Sequence, residues 1–145
     1  MSSPAPAHAP AGAPTPKLIV VGLIEHDDRY VVTRRHPHQH LGGAWELPGG
    51  KVEAGESPEA ALQREAMEEL GVAIDVVRPL TFSWYRYPDR TLLLLFYLAR
   101  TRPGAAPRAL AAAELTLLDL EALRALEMPP ANHPLKELLL RSRPA

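Results

Sequence analysis

The sequence predicts an α+β fold, a mixed β-sheet covered by helices. Three observations carry this. Apolar, β-branched segments of strand length outnumber segments with helical signals. The first two of these strands are separated only by Asp27-Asp28, a turn signal that closes a hairpin. The helical segments then follow hairpin-like pairs of strands instead of alternating with single ones.

In chain order, Lys17 to His26 (KLIVVGLIEH) is β-branched at its centre and reads as a buried strand, with Arg29 to Arg34 (RYVVTR) returning antiparallel. Arg35 to Gly43 is a loop. Ala44 to Leu47 is a short strand ended by Pro48. Ser57 caps a helix whose first position is Pro58 and whose end is marked by Gly71. Val72 to Tyr87 holds one or two strands, with Pro79 as a break or an edge position. Thr91 to Arg100 is a strong strand and Arg102 to Ala113 a Pro/Ala-rich loop. Glu114 to Leu118 completes the strands. Asp119 to Leu126 and Asn132 to Arg141 are helices interrupted at Met128 to Pro130. Ahead of all this, Met1 to Pro16 holds five of the 16 prolines and no Lys or Arg, and lacks the basic start and continuous apolar stretch of a secretory signal. It reads as a disordered, partly polyproline II tail, leaving residues 17–145 as the domain.

Composition excludes several classes of function. The chain has 145 residues, 46% of them hydrophobic, which fits one domain with a real core. With 16 Lys+Arg against 17 Asp+Glu there is no basic surplus for binding duplex nucleic acid. Cysteine is absent, so disulfides, thiolate metal sites and Cys nucleophiles are ruled out, and a cytoplasmic location is expected. The longest apolar run, Leu92 to Ala99, is far short of the roughly 20 residues of a membrane helix. No membrane partner is expected, and a monomer or homodimer both fit.

Chemistry concentrates in Gly50 to Val72, GKVEAGESPEAALQREAMEELGV. Glu65, Glu68 and Glu69 recur at i, i+3 and i+4, within an arc of about 100° on one helix face. Leu62, Ala66, Met67 and Leu70 occupy the neighbouring arc and are expected to face the core. Like charges at this spacing cost about 0.2–0.5 kcal/mol per pair. Their place in the helix's C-terminal half is also unfavourable for anions. Such local conflicts tend to mark functional sites. A hard divalent cation such as Mg²⁺ relieves the repulsion, and Glu53 and Glu56 in the preceding loop offer further oxygens. Arg64 is placed to hold a carboxylate.

This segment resembles the Nudix box, G-x5-E-x7-R-E-U-x-E-E-x-G-U, with U apolar. Gly50, Glu56, Arg64, Glu65, Glu68, Glu69 and Gly71 fill its fixed positions, and Ala66 and Val72 the apolar ones. Seven positions at a usage of roughly 7% each match by chance about once in 10⁸ windows. The resemblance implies a Nudix fold, an α/β/α sandwich around a mixed sheet, and Mg²⁺- or Mn²⁺-dependent hydrolysis of a nucleoside diphosphate linked to another group. It implies Glu65, Glu68 and Glu69 as metal ligands and catalytic carboxylates, Arg64 as their partner, and Gly50 and Glu56 as further metal-site residues.

Four features are similar to the MutT branch, the 8-oxo-dGTP diphosphatases: the approach WELPGGK over Trp45 to Lys51, Thr33-Arg34-Arg35, Tyr87-Pro88-Asp89-Arg90, and Pro129-Pro130-Ala131-Asn132. They imply Arg35 and Arg90 as substrate contacts and Asn132 as a reader of the base. Capping the last helix is the alternative use of Asn132. The loop before the last strand, which in this branch often carries a glutamate, has none here, and Glu114 is the nearest candidate. Trp45 and Trp84 are expected in the core, with base stacking as the other use. His36, His38 and His40 alternate in one loop without the fourth ligand that zinc needs, and are expected to face phosphate or solvent.

Overall fold

The computed structural model describes residues 15–141. Most of the proline-rich segment Met1 to Pro16, and the last four residues of the expected domain, therefore lie outside the described residues. The strands are β1 (Lys17–His26), β2 (Arg29–Arg34), β3 (Trp45–Glu46), β4 (Gly49–Lys51), β5 (Ile74–Arg86), β6 (Thr91–Thr101) and β7 (Glu114–Leu118). The helices are α1 (Pro58–Leu70), α2 (Leu120–Ala125) and α3 (His133–Arg141), with a 3₁₀ turn at Pro130–Asn132.

One mixed sheet results. β1 runs parallel to β6, with Val20 opposite Leu95, and antiparallel to β4 and β2. β5 forms the edge beyond β6, while β3 and β7 pair with β2. Each strand sends alternate residues to opposite faces. Val20, Ile24 and Val31 face α1, where Ala61, Leu62, Ala66 and Leu70 meet them. Val21, Leu23, Val32 and Phe96 face the other way, toward Leu123, Leu135 and Leu139 of α2 and α3. Helices thus cover both faces, the α/β/α layering that the resemblance implied.

The two rear helices close each other's ends. Arg124 Nε donates to the Leu139 carbonyl at 2.7 Å, and Lys136 Nζ donates to the Arg124 and Leu126 carbonyls. Each helix satisfies orphan carbonyls of its neighbour's last turn.

Val72 to Tyr87 holds a single strand, one of the two arrangements expected, and Pro79 sits at an edge position, tolerated because the β5 register shifts on either side of that residue. Other expectations are corrected. The short strand before Pro48 is only Trp45–Glu46, and a further one, Gly49–Lys51, follows it. Glycine is depleted in strands, so that signal is absent from the sequence. Here it is required: a Cβ on Gly49 would lie 2.1 Å from the Val20 carbonyl oxygen. Met67 is 51% exposed and outside the core. Trp84 is also exposed, on β5 with Phe82, whereas Trp45 packs partly against the rear core.

Candidate active site

The helix α1 forms as its sequence requires. Ser57 accepts from the Ala60 N–H, Pro58 occupies the first turn, and Gly71 closes the helix in a left-handed conformation at φ 68°. Burial of Ala61, Leu62, Ala66 and Leu70 fixes the helix's rotation about its axis. That rotation brings Glu65 and Glu69 down toward the β4 backbone and leaves Glu68 largely in solvent.

Arg64 is the hub of the acidic cluster. Its Nε and Nη2 grip both Glu56 oxygens at 2.8 and 3.0 Å. Its Nη1 donates to Glu65 at 2.9 Å and to Glu68 at 3.3 Å, and Nη2 also donates to the Lys51 carbonyl at 3.0 Å. All five guanidinium protons are engaged. Glu56 in turn accepts from the Glu53 N–H. The Arg64 contact, helped by that N–H, holds the Glu56 carboxyl below the usual range. Glu56 and Glu65 together raise the Arg64 pKa further, so its charge is fixed at every working pH.

Glu69 has the opposite environment. Burial, then the adjacent Glu65 carboxylate and more distant Glu46, push it up to about 8 against one opposing hydrogen bond from the Gly49 N–H. A carboxyl in that state bonds its neighbour by sharing a proton. Glu65 lies directly on the backbone: a Cβ on Gly50 would sit 2.5 Å from its carboxylate carbon. We expect Gly50→Ala to force Glu65 away from Glu69 and lower kcat by about 10²-fold with the fold intact. Circular dichroism and steady-state rates check this, and a wild-type rate would show that Glu65 placement is irrelevant.

Glu46 is a member of the cluster that sequence reasoning missed. It pairs across strands with Thr33, on the α1 side of the sheet. Arg35 holds it, with Nε 2.9 Å from its Oε2 and Nη1 donating to the His40 carbonyl. The only signal in the sequence was its position in WELPGGK. Glu114, the candidate for the missing loop carboxylate, pairs with Arg34 on the opposite face and bonds its Nη1 at 3.1 Å. It is not part of the cluster. His36 and His38 stack on each other, 5.4 Å between centroids, in the loop before β3.

The remaining candidates lie elsewhere. Arg90 sits in the β5–β6 turn with its guanidinium 5.0 Å from the Tyr87 ring centroid. Asn132 ends the 3₁₀ turn, which packs on β5 in the rear layer. Its N–H donates to the Pro129 carbonyl, and its side chain makes no hydrogen bond among the described residues. The structure thus joins Arg35, Gly50, Glu56, Arg64, Glu65, Glu68 and Glu69 in one region and leaves Arg90 and Asn132 outside it.

The donor set decides what the cluster can hold. Every donor is oxygen, and among the described residues Glu65 and Glu69 have one cation between them, Arg64, which faces Glu65. A hard divalent ion fits that chemistry. With Arg64 drawing the outer oxygens to itself, no three acidic or His side chains among the described residues converge as a ready metal site.

The comparisons with known proteins agree with this geometry. The NUDIX domain model matches residues 14–139. An Escherichia coli K12 protein named 8-oxo-dGTP diphosphatase is 35% identical over 124 residues, 85% of this chain and 95% of that one. An E. coli K12 CTP pyrophosphohydrolase is 41% identical over 58 residues, 40% of this chain and 43% of that one. The solution structure of the E. coli ORF135 protein superposes with a TM-score of 0.76 at 29% identity, covering 94% of this chain and 99% of that one. On the matched domain, the layering and the acidic helix, the chain belongs to the NUDIX family of pyrophosphate hydrolases.

Proposed function

We propose that the chain hydrolyses a nucleoside triphosphate to the monophosphate and pyrophosphate, with 8-oxo-dGTP as the preferred substrate and Mg²⁺ or Mn²⁺ as the cofactor. The observation that carries the hydrolytic reading is the Glu65–Glu69 pair against Gly50, two half-buried carboxyls crowded so closely that Glu69 is pushed up to about 8 and the pair shares a proton. Glu65 and Glu69, helped by Glu68, Glu56 and the Gly50 carbonyl, would hold the ion. When bound, it polarises phosphoryl oxygens and acidifies water.

The chain's own residues supply positioning. Arg64 fixes Glu56 and Glu65 in place. Arg35, anchored on Glu46 beside the carboxylates, contacts the phosphates once they arrive. The long β1–β6 ladder provides the rigid floor that in-line attack needs. Arg90, at the end of the same ladder, is the second substrate contact.

The base is assigned to Asn132. Its amide makes no hydrogen bond among the described residues, and Pro129 and Pro130 stiffen the approach to it. Oxidation at C8 turns purine N7 from acceptor into N–H donor. One amide then donates to O6 and accepts from N7–H. With ordinary guanine its oxygen faces the N7 lone pair, costing about 1–3 kcal/mol in a dry site. The relative named a CTP pyrophosphohydrolase favours a second reading, a pyrimidine triphosphate as substrate.

A panel of 8-oxo-dGTP, dGTP and CTP with Mg²⁺ tests both. We expect kcat/KM for 8-oxo-dGTP to exceed that for dGTP by at least about 10²-fold. Asn132→Ala should shrink that ratio by raising KM for the oxidised nucleotide selectively. Preference for CTP selects the second reading, and equal losses on both purines remove Asn132 as the reader.

A further inference from the structure

The Pro/Ala-rich loop between β6 and β7 contains no carboxylate, but it does not hang free. Its backbone closes the end of α1. The Arg108 N–H donates to the Leu70 carbonyl at 2.9 Å, and the Leu110 N–H donates to the Glu69 carbonyl at 3.0 Å. With Gly71 donating to the Met67 carbonyl, three of the four carbonyls that a helix end leaves orphaned are satisfied. Two of the three donors come from nearly 40 residues further along the chain (about 38, counting from Leu70 to Arg108).

The Arg108 side chain completes the contact. Its Nη2 lies 3.0 Å, and Leu110 Cδ1 3.1 Å, from where a Cβ on Gly71 would be. Its guanidinium therefore lies across the helix C-terminus. The last turn of α1 contains no basic residue of its own and carries Glu68 and Glu69. Anions there oppose the helix dipole, and a cation relieves it. The local conflict of charges in α1 is thus offset by a residue that the helix does not contain.

We propose that Arg108 is a positioning residue for divalent-metal-dependent hydrolysis, acting as an external cap that fixes the last turn of α1 and through it the Glu69 carboxylate. This rests on the reading of Glu69 as a metal ligand. Arg108 touches neither substrate nor metal. Its effect passes from Leu70 and Gly71, which it touches, along the last turn to Glu69, whose carbonyl Leu110 binds. Freedom in that turn spreads the Glu69 oxygens over many positions, and a metal that must gather them binds more weakly. Once gathered, the site works normally. Metal affinity, and not turnover at saturating metal, carries the signature.

The test compares Arg108→Ala, Arg108→Lys and wild type in the full chain. Hydrogen exchange on metal-free protein reads the order of the last α1 turn. Mn²⁺ binding by electron paramagnetic resonance reads affinity without turnover, and the Mg²⁺ dependence of kcat reads function. We expect Arg108→Ala to speed exchange at the Glu69, Leu70 and Gly71 amides by about 10-fold. Mn²⁺ affinity should weaken by about 3- to 10-fold and the half-activating Mg²⁺ concentration rise equally, with kcat at saturation within about twofold. Arg108→Lys should recover most of both, since a point charge suffices at a helix end. Faster exchange with unchanged Mn²⁺ affinity overturns the proposal, because the cap is then structural only. So does unchanged exchange. Should Arg108→Ala fail to fold, Arg108→Lys and Arg108→Gln keep the same readouts. If Glu69→Gln binds Mn²⁺ as wild type does, the reading of Glu69 fails instead, which separates the two failures.

Discussion

Glu69→Gln should lower turnover at saturating Mg²⁺ by about 10³-fold or more, a barrier increase of about 4 kcal/mol, while making the metal-free protein more stable. Both effects have one cause. Glu69 is pushed up to about 8 by burial and by Glu65 and Glu46. The folded protein therefore holds a proton there that the unfolded chain releases near pH 4.5. Stability from this group is fully present below about pH 4.5 and is lost as pH rises through about 8. The metal-free wild type should melt at progressively lower temperature across that window. Glutamine keeps the shape, removes the titration, and is more stable near pH 8 by on the order of 1 kcal/mol, allowing for partial exposure. That is a rise in Tm of about 3–5 °C for a chain of this length. Mg²⁺ should flatten the wild-type slope, because it takes the proton's place. Melting curves with chelator from pH 5 to 9, with and without Mg²⁺, read this directly. A parallel slope in the variant would place the titration on another group.

Arg64→Ala should cost about 10²- to 10³-fold in kcat/KM. The side chain holds Glu56 through two bonds, Glu65 and Glu68 through one each, and the Lys51 carbonyl through a fifth. Its removal leaves these acidic groups to repel one another and frees the loop that carries Glu56. Arg64→Lys should recover little. An ammonium cannot make the paired bonds to Glu56 while reaching Glu65 and Lys51. Glu56→Gln, combined with Arg64→Ala, should cost less than the sum of the two, since both break the same contact. Strict additivity in that double-mutant cycle, or full activity in Arg64→Lys, would contradict the hub assignment.

The acidic helix was legible because its information is local. Ser57, Pro58 and Gly71 mark the ends, and the spacing of Glu65, Glu68 and Glu69 places them within the sequence itself. The long strands β1, β2 and β6 were legible for the same reason, from β-branched and apolar runs. What was hidden depends on residues far apart in the chain. Gly49–Lys51 is a strand only because β1 offers it a ladder, and two glycines give no strand signal. Met67 has an apolar side chain on a helix, and only the arc that the sheet covers reveals that it faces water. Glu46 and Glu114 each neighbour a residue of β2, and the alternation of the sheet sends one toward α1 and the other away. No pattern within ELPGG or AAAEL records that difference. Arg108 stands about 38 residues beyond the helix it caps, in a segment whose composition says only loop.

The parallel β1–β6 ladder governs how the chain reaches its native state. His26 and Thr101 are 75 positions apart, and the whole ladder joins residues at that separation. Hairpin β1–β2 and helix α1 need only neighbours and form on the microsecond scale. The ladder must first close a long loop, whose entropy is lost before any of its contacts stabilise the chain. Until β6 is in place, β1 has an open inner edge, and the sheet behind the Gly49–Lys51 segment is incomplete. The carboxylate helix is therefore among the earliest elements to form, and the floor beneath its charges among the last. During biosynthesis the same order holds, since Thr91 to Thr101 leaves the ribosome well after α1. For that interval the nascent protein has an exposed apolar strand, and neither the geometry nor the chemistry of the mature enzyme.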